Sequence, residues 1–318
     1  METANYRLAP TVVYYVIACT LAWIIILPLW FTDEGITHPA FVPLAAVMML
    51  TPTVAAVIVG RVMYRKSWKE LLGFLGMSIR QPYSKTLKWI GIALVIGIAI
   101  PFLSSFLAAA LGWFHFDFVN FSMAQQMMPE GEGTAPGDGA APSYSTVALV
   151  ATSLALIPLS ALTNSLVAAG EEIGWRGYLQ PALQHYGTWP ALIITGALWG
   201  FWHAPLILLG YNFSRTNWVG ITVMTVGCAF LGILIGGTRI YSGNVWPAAI
   251  FHGSFNTAGM TLPFLSDANI LPDRVYSSPL GFAGWIVITI MIAVFLVVQF
   301  ITHKRTTMVP AQTQLSPS

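Results

Sequence analysis

Long apolar runs alternate with short polar connections along this chain, and the runs are nearly all of one size. Eight of them, at about 11–31, 41–62, 89–113, 146–172, 189–211, 217–237, 244–264 and 280–301, approach or exceed the ~20 residues an α-helix needs to cross roughly 30 Å of hydrocarbon. The pattern predicts an all-α, polytopic membrane protein with about eight transmembrane helices. The first run is too long for a secretory signal core and lacks a small-x-small cleavage site, so it is expected to stay as the first membrane helix. Two helix starts are legible: Thr188 before Pro190, and Asn244 before Pro247, each a polar cap followed by proline in the first turn, with Trp189 and Trp246 at headgroup level. The stretch 129–142 is rich in Gly and Pro and reads as an external linker; it follows no strand and holds no lysine, so it is not a phosphate loop. The tail from Thr306 is polar and reads as disordered. These breaks divide the chain into 1–143 with three helices, a core at 144–265, a last helix within 266–305, and the tail 306–318.

Basic residues orient the array. If every run spans, Arg7, Arg61, Arg65, Lys66, Lys69, Arg80, Lys85, Lys88, Arg176, Arg239, Lys304 and Arg305 share one face, which leaves only Arg215 and Arg274 on the other. The loops 32–40 and 114–145 hold no Lys or Arg. The positive-inside rule then puts both termini in the cytoplasm.

Composition agrees. Apolar residues make up 56% and charged ones 8% of the 318 residues, against about a quarter charged in a soluble domain. The net charge of +2 is sorted by loop and is no sign of a nucleic-acid partner; the partner that composition implies is the bilayer. Cys19 and Cys228 both fall in apolar runs and read as inert core residues, not a disulfide framework.

Scarce charge makes its location informative. Ten of the twelve acidic residues sit in loops or near the N-terminus, and the exceptions are Glu171 and Glu172. His203 and His252 likewise stand apart from the four other histidines, which fall in loops or flanks. An ionisable group in a membrane segment costs several kcal/mol, on the order of 3, and marks a functional site by default. Glu172 and Arg176 are four apart, on one helix face in the favourable acid-first order, so Arg176 neutralises Glu172 and supports the site. Glu171 is rotated by about 100°, with Trp175 one turn below it, and is free for other work. His252 and Asn256 share one face of another helix; Asn256 also reads as a helix–helix hydrogen-bonding amide.

The strings E-E-I-G-W-R at 171–176, W-G-F-W-H at 199–203 and H-G-S-F-N at 252–256 resemble the three motifs of the CAAX-protease and bacteriocin-processing family, also called Abi. The resemblance covers roughly 145–265. One departure is visible: Trp199 stands where the family usually has Phe. What the resemblance implies is an intramembrane endopeptidase that hydrolyses a peptide bond of a membrane-associated or prenylated protein or peptide. Glu171 would be the general base, His203 would help to hold and deprotonate water, and His252 and Asn256 would donate to the oxyanion.

Rival readings remain. A proton-coupled transporter would also bury Glu and His, but here the polar residues approach from the cytoplasmic half alone, and no internal repeat supports it. A non-catalytic immunity or scaffold protein of the same family would keep the motifs and act by binding. Metal is a separate question. Glu171, His203 and His252 are enough for an open three-ligand zinc site. The H-E-x-x-H spacing is missing, however, and Glu172, the one spare carboxylate for orienting a histidine, already has Arg176. The expectation is a reaction without metal or other cofactor, with zinc as the alternative. The place of action is the cell membrane, or the endoplasmic reticulum membrane in a eukaryote.

Overall fold

A computed structural model describes residues 8–79, 81–128 and 144–307. The 129–142 linker, Arg7, Arg80 and the tail beyond Thr307 lie outside the described residues. Helices make up most of the described residues, which hold one isolated antiparallel bridge, Phe116 to Ser266.

The helices are α1 (Leu8–Trp30), α2 (Phe41–Met48), α3 (Thr51–Ile58), α4 (Trp68–Phe74), α5 (Tyr83–Ala110), α6 (Ser122–Gln126), α7 (Tyr144–Ala155), α8 (Ile157–Gly174), α9 (Gln180–Leu183), α10 (Thr188–Trp202), α11 (Ala204–Ile207), α12 (Trp218–Ser242), α13 (Trp246–Thr261), α14 (Arg274–Ser277) and α15 (Phe282–Thr307). Every apolar run is therefore helical, and the protein is an all-α, multi-pass membrane protein. The runs are not equally long as helices. Among the described residues, five segments are long and apolar enough to cross a membrane: 8–30, 41–63, 83–110, 218–242 and 274–297. The run at 146–172 is α7 plus α8, bent by 59°. Pro158 accounts for the bend, because its ring has no N–H and crowds the carbonyl of Leu154. Helices α10 and α13 have only 15 and 16 residues.

Three other sequence expectations need correction. The run 189–211 is not one helix: α10 stops at Trp202, His203 is its C-terminal cap, and α11 restarts with Pro205 in its first turn. Thr188 does not cap α10; Gly187 stands at the cap, and the Thr188 hydroxyl instead accepts from Gln184 Nε2 at 2.9 Å. Asn244 does act at the start of α13, where its Oδ1 accepts the Trp246 N–H at 3.2 Å. Arg239, counted with the cytoplasmic loops, is buried in the last turn of α12, and its Nε donates to the carbonyl of Arg176 at 3.2 Å.

Small residues set the closest helix approaches, as is usual where lipid removes the hydrophobic drive between helices. On α13, a Cβ at Gly253 would lie 2.4 Å from Ser165 Oγ of α8. On α10, a Cβ at Gly196 would lie 2.5 Å from the Cys228 carbonyl of α12. Both cysteines are free, and Cys228 is fully buried. The N-terminal helices close the other side. Tyr15 O–H donates to the Leu198 carbonyl at 3.0 Å, and Thr53 O–H to the Gly170 carbonyl at 2.6 Å. One hydrophobic cluster runs from Tyr14 to Ile288 through α8, α10, α12 and α13.

Candidate active site

Helix α8 carries the two glutamates in its last turn and then widens into a π-turn over Trp175–Leu179 before α9. Such π-bulges often mark functional sites, because they re-aim side chains within a continuous helix. Glu171, Glu172 and Arg176 are 2%, 0% and 0% exposed. Three charged side chains sealed together need partners.

Glu172 has two on one oxygen. Its Oε1 accepts from Arg176 Nη1 at 2.9 Å, the expected i,i+4 pair, and lies 2.9 Å from His252 Nδ1 of α13. The second contact joins residues 80 apart in sequence and was not foreseen. Because a carboxylate only accepts, Nδ1 carries the proton in this contact, and Nε2 of His252 is the nitrogen left to work. Glu172 is thus spent on holding Arg176 and His252.

Glu171 is disposed differently. Its Oε2 accepts the indole N–H of Trp199 at 2.6 Å. Its other oxygen makes no hydrogen bond among the described residues. His203, one turn beyond Trp199, has Nδ1 3.0 Å from the Trp199 carbonyl. A carbonyl can only accept, so Nδ1 bears the hydrogen and Nε2 presents a lone pair. Trp199 lies between the two histidines, its ring centroid 5.8 Å from that of His203 and 5.1 Å from that of His252. The Arg176 guanidinium sits over the same indole, 4.5 Å from its centre. Asn256, one turn along α13 from His252, is half-buried and makes no hydrogen bond among the described residues.

The structure therefore joins Glu172, Arg176 and His252 directly, and gathers Glu171, His203, His252 and Arg176 around one tryptophan. The sequence treats Trp199 only as a retained aromatic; nothing in hydropathy or spacing signals where its N–H points. Chemically the cluster offers a carboxylate oxygen free to take a proton, an imidazole lone pair, an imidazole held by a carboxylate, and a free amide. It does not offer a metal-ligand set: no three of His, Cys, Asp and Glu among the described residues are placed to share an ion. Glu172, although paired with Arg176, also holds His252 at Nδ1, which corrects the expectation that it has no capacity left to orient a histidine.

Residues 149–258 match the family of type II CAAX prenyl endopeptidases, Rce1-like. The chain is also 31% identical over 120 residues to the CAAX prenyl protease 2 of Methanococcus maripaludis, a match covering 35% of this chain and 43% of that protein. The chain thus spans under half the length of that curated relative. All three motifs lie inside the matched segment. Over residues 149–258, the part that builds the site, this chain is similar to the type II CAAX prenyl endopeptidases.

Proposed function

We propose that the protein is an intramembrane endopeptidase of the CAAX type, cutting a peptide bond near the lipidated end of a membrane-associated protein. The observation that carries this reading is the division of labour between two adjacent glutamates. Glu172 is consumed by Arg176 and His252, whereas Glu171 keeps one oxygen unbonded among the described residues and is held by the indole against which both imidazoles pack.

In this reading Glu171 takes a proton from water while His203 Nε2 holds and helps to deprotonate it. The hydroxide adds to the scissile carbonyl, whose oxygen becomes an oxyanion. His252, kept as imidazolium by the Glu172 carboxylate at Nδ1, donates from Nε2, and the Asn256 amide donates beside it. Fixed donors in a dry site supply a few kcal/mol of transition-state stabilisation without reorganisation. Glu171 then returns its proton to the leaving amine, which completes hydrolysis. The reaction uses no metal.

The test is turnover of an internally quenched, farnesylated C-terminal peptide by purified protein in detergent. Wild type is expected to cleave it with chelator present, and Glu171→Gln to lose at least about a hundredfold in kcat while melting like wild type. Normal turnover by Glu171→Gln removes the base assignment. Activity that chelator abolishes and zinc restores removes the metal-free mechanism.

A further inference from the structure

We infer that Trp199 is a positioning residue for this hydrolysis: its indole N–H pins one oxygen of Glu171 so that the other faces the reacting water. This rests on the endopeptidase reading above.

A glutamate side chain has three rotatable bonds, and a base that swings loses the orientation on which proton transfer depends. Among the described residues the only hydrogen bond on the Glu171 carboxylate is the 2.6 Å contact from Trp199 Nε1. That length is short for an N–H donor, as charge-assisted bonds are. A buried indole N–H needs an acceptor, and a backbone carbonyl would serve for packing alone. Here the acceptor is the carboxylate of the proposed base.

The indole is itself immobilised. It is 2% exposed, and two imidazole rings meet it at interplanar angles of 61° and 70°. The Arg176 charge 4.5 Å above its centre draws on the π-face and sharpens the N–H as a donor. Through its carbonyl the same residue receives Nδ1–H of His203, which fixes the tautomer that leaves Nε2 free. One residue thus sets the direction of Glu171 through its side chain and the state of His203 through its backbone. A phenyl ring at 199 would keep the backbone contact and much of the packing but leave Oε2 without its donor.

Benzothienylalanine, which replaces the indole N–H by sulfur at nearly constant shape, separates the donor from the packing. The full chain in detergent, with the farnesylated peptide, would be compared with the residue at 199 as tryptophan, benzothienylalanine, Trp199→Phe, and 5-fluorotryptophan, which returns the N–H. Losing one hydrogen bond to a charged group should lower kcat by about 10- to 100-fold, with KM within about twofold. Melting temperature should be unchanged for benzothienylalanine, and 5-fluorotryptophan should restore most of the loss. Undiminished kcat with benzothienylalanine overturns the proposal, as does a fall in kcat that comes only with a raised KM and a lowered melting temperature. Wild-type turnover that Glu171→Gln abolishes keeps the endopeptidase reading in place whichever way the tryptophan arms fall. A wild type that cleaves none of the peptide overturns both.

Discussion

Replacing Glu172 by Gln should unfold this protein more readily than any other single-atom change in the site. The glutamate accepts from Arg176 and His252 on the same oxygen, both at 2.9 Å, and its side chain and that of Arg176 are 0% and 1% exposed. The amide keeps the shape and one acceptor, but it cannot offset the guanidinium. Arg176 then sits uncompensated, with Nε and Nη2 already lacking hydrogen-bond partners among the described residues. Removing one member of a buried pair costs about 3–5 kcal/mol. Two neutral hydrogen bonds inside a membrane would cost only about 1 kcal/mol together, so the charge makes the difference measurable. Reversible unfolding in bicelles would give the number, with Glu171→Gln as control: its carbonyl still accepts from Trp199, and its loss should stay within about 1 kcal/mol. Adding Arg176→Met to Glu172→Gln should recover much of the stability by removing the orphaned charge. If Glu172→Gln is no less stable than Glu171→Gln, the buried ion pair is not what holds the site together.

Gly253→Ala puts a Cβ 2.4 Å from Ser165 Oγ and 2.5 Å from its backbone nitrogen, so α8 and α13 must part; about 1–3 kcal/mol of overpacking should appear in the melt, with kcat falling as the Glu172–His252 contact stretches. Gly76 has φ +66°, and a Cβ there would meet Arg239 Nη2 at 2.5 Å. Gly76→Ala should therefore cost at least about 1–2 kcal/mol from the backbone alone, and a melt at wild-type temperature would show that this loop is not pressed on Arg239. The exposed pair Arg215–Asp273, at 42% and 39% exposure, should behave oppositely: Arg215→Ala should change stability by no more than about 1 kcal/mol, and a larger loss would mean that this loop braces the bundle.

Much of this was legible without coordinates, for a physical reason. Hydrocarbon permits few charges, so Glu171, Glu172, Arg176, His203 and His252 stood out by location alone, and the i,i+4 rule paired Glu172 with Arg176. Interruptions were harder to read. Pro158 and Pro205 were in plain view, but each sits in an apolar run that hydropathy averages into one span. The break after Trp202 matters most, because it makes His203 a cap whose Nδ1 meets the Trp199 carbonyl. Tertiary partners were out of reach altogether. No local pattern tells Glu172 that His252 will arrive from 80 residues away, nor that the Trp199 N–H points to Glu171 rather than into packing. Arg239 misled for a similar reason: a cation at a helix end reads as a loop residue unless one knows that a carbonyl of another helix waits beside it.

On the proposed reading, the shortness of α10 bears on a problem every hydrolase in oil must solve, the supply of water. At 1.5 Å per residue, the 15 residues of α10 reach about 22 Å, roughly a quarter less than the hydrocarbon the helix would have to cross, whereas α13 runs straight on into a 3₁₀ turn at Leu262–Leu265. Their neighbours α1, α5 and α12 have 23, 28 and 25 residues. A short helix flanked by long ones is accommodated by local thinning of the bilayer or by polar residues reaching to the interface. Helices α10 and α13 carry the Trp199–His203 and His252–Asn256 pairs. On that reading, the local thickness of the membrane beside α10 becomes part of how the second reactant reaches Glu171.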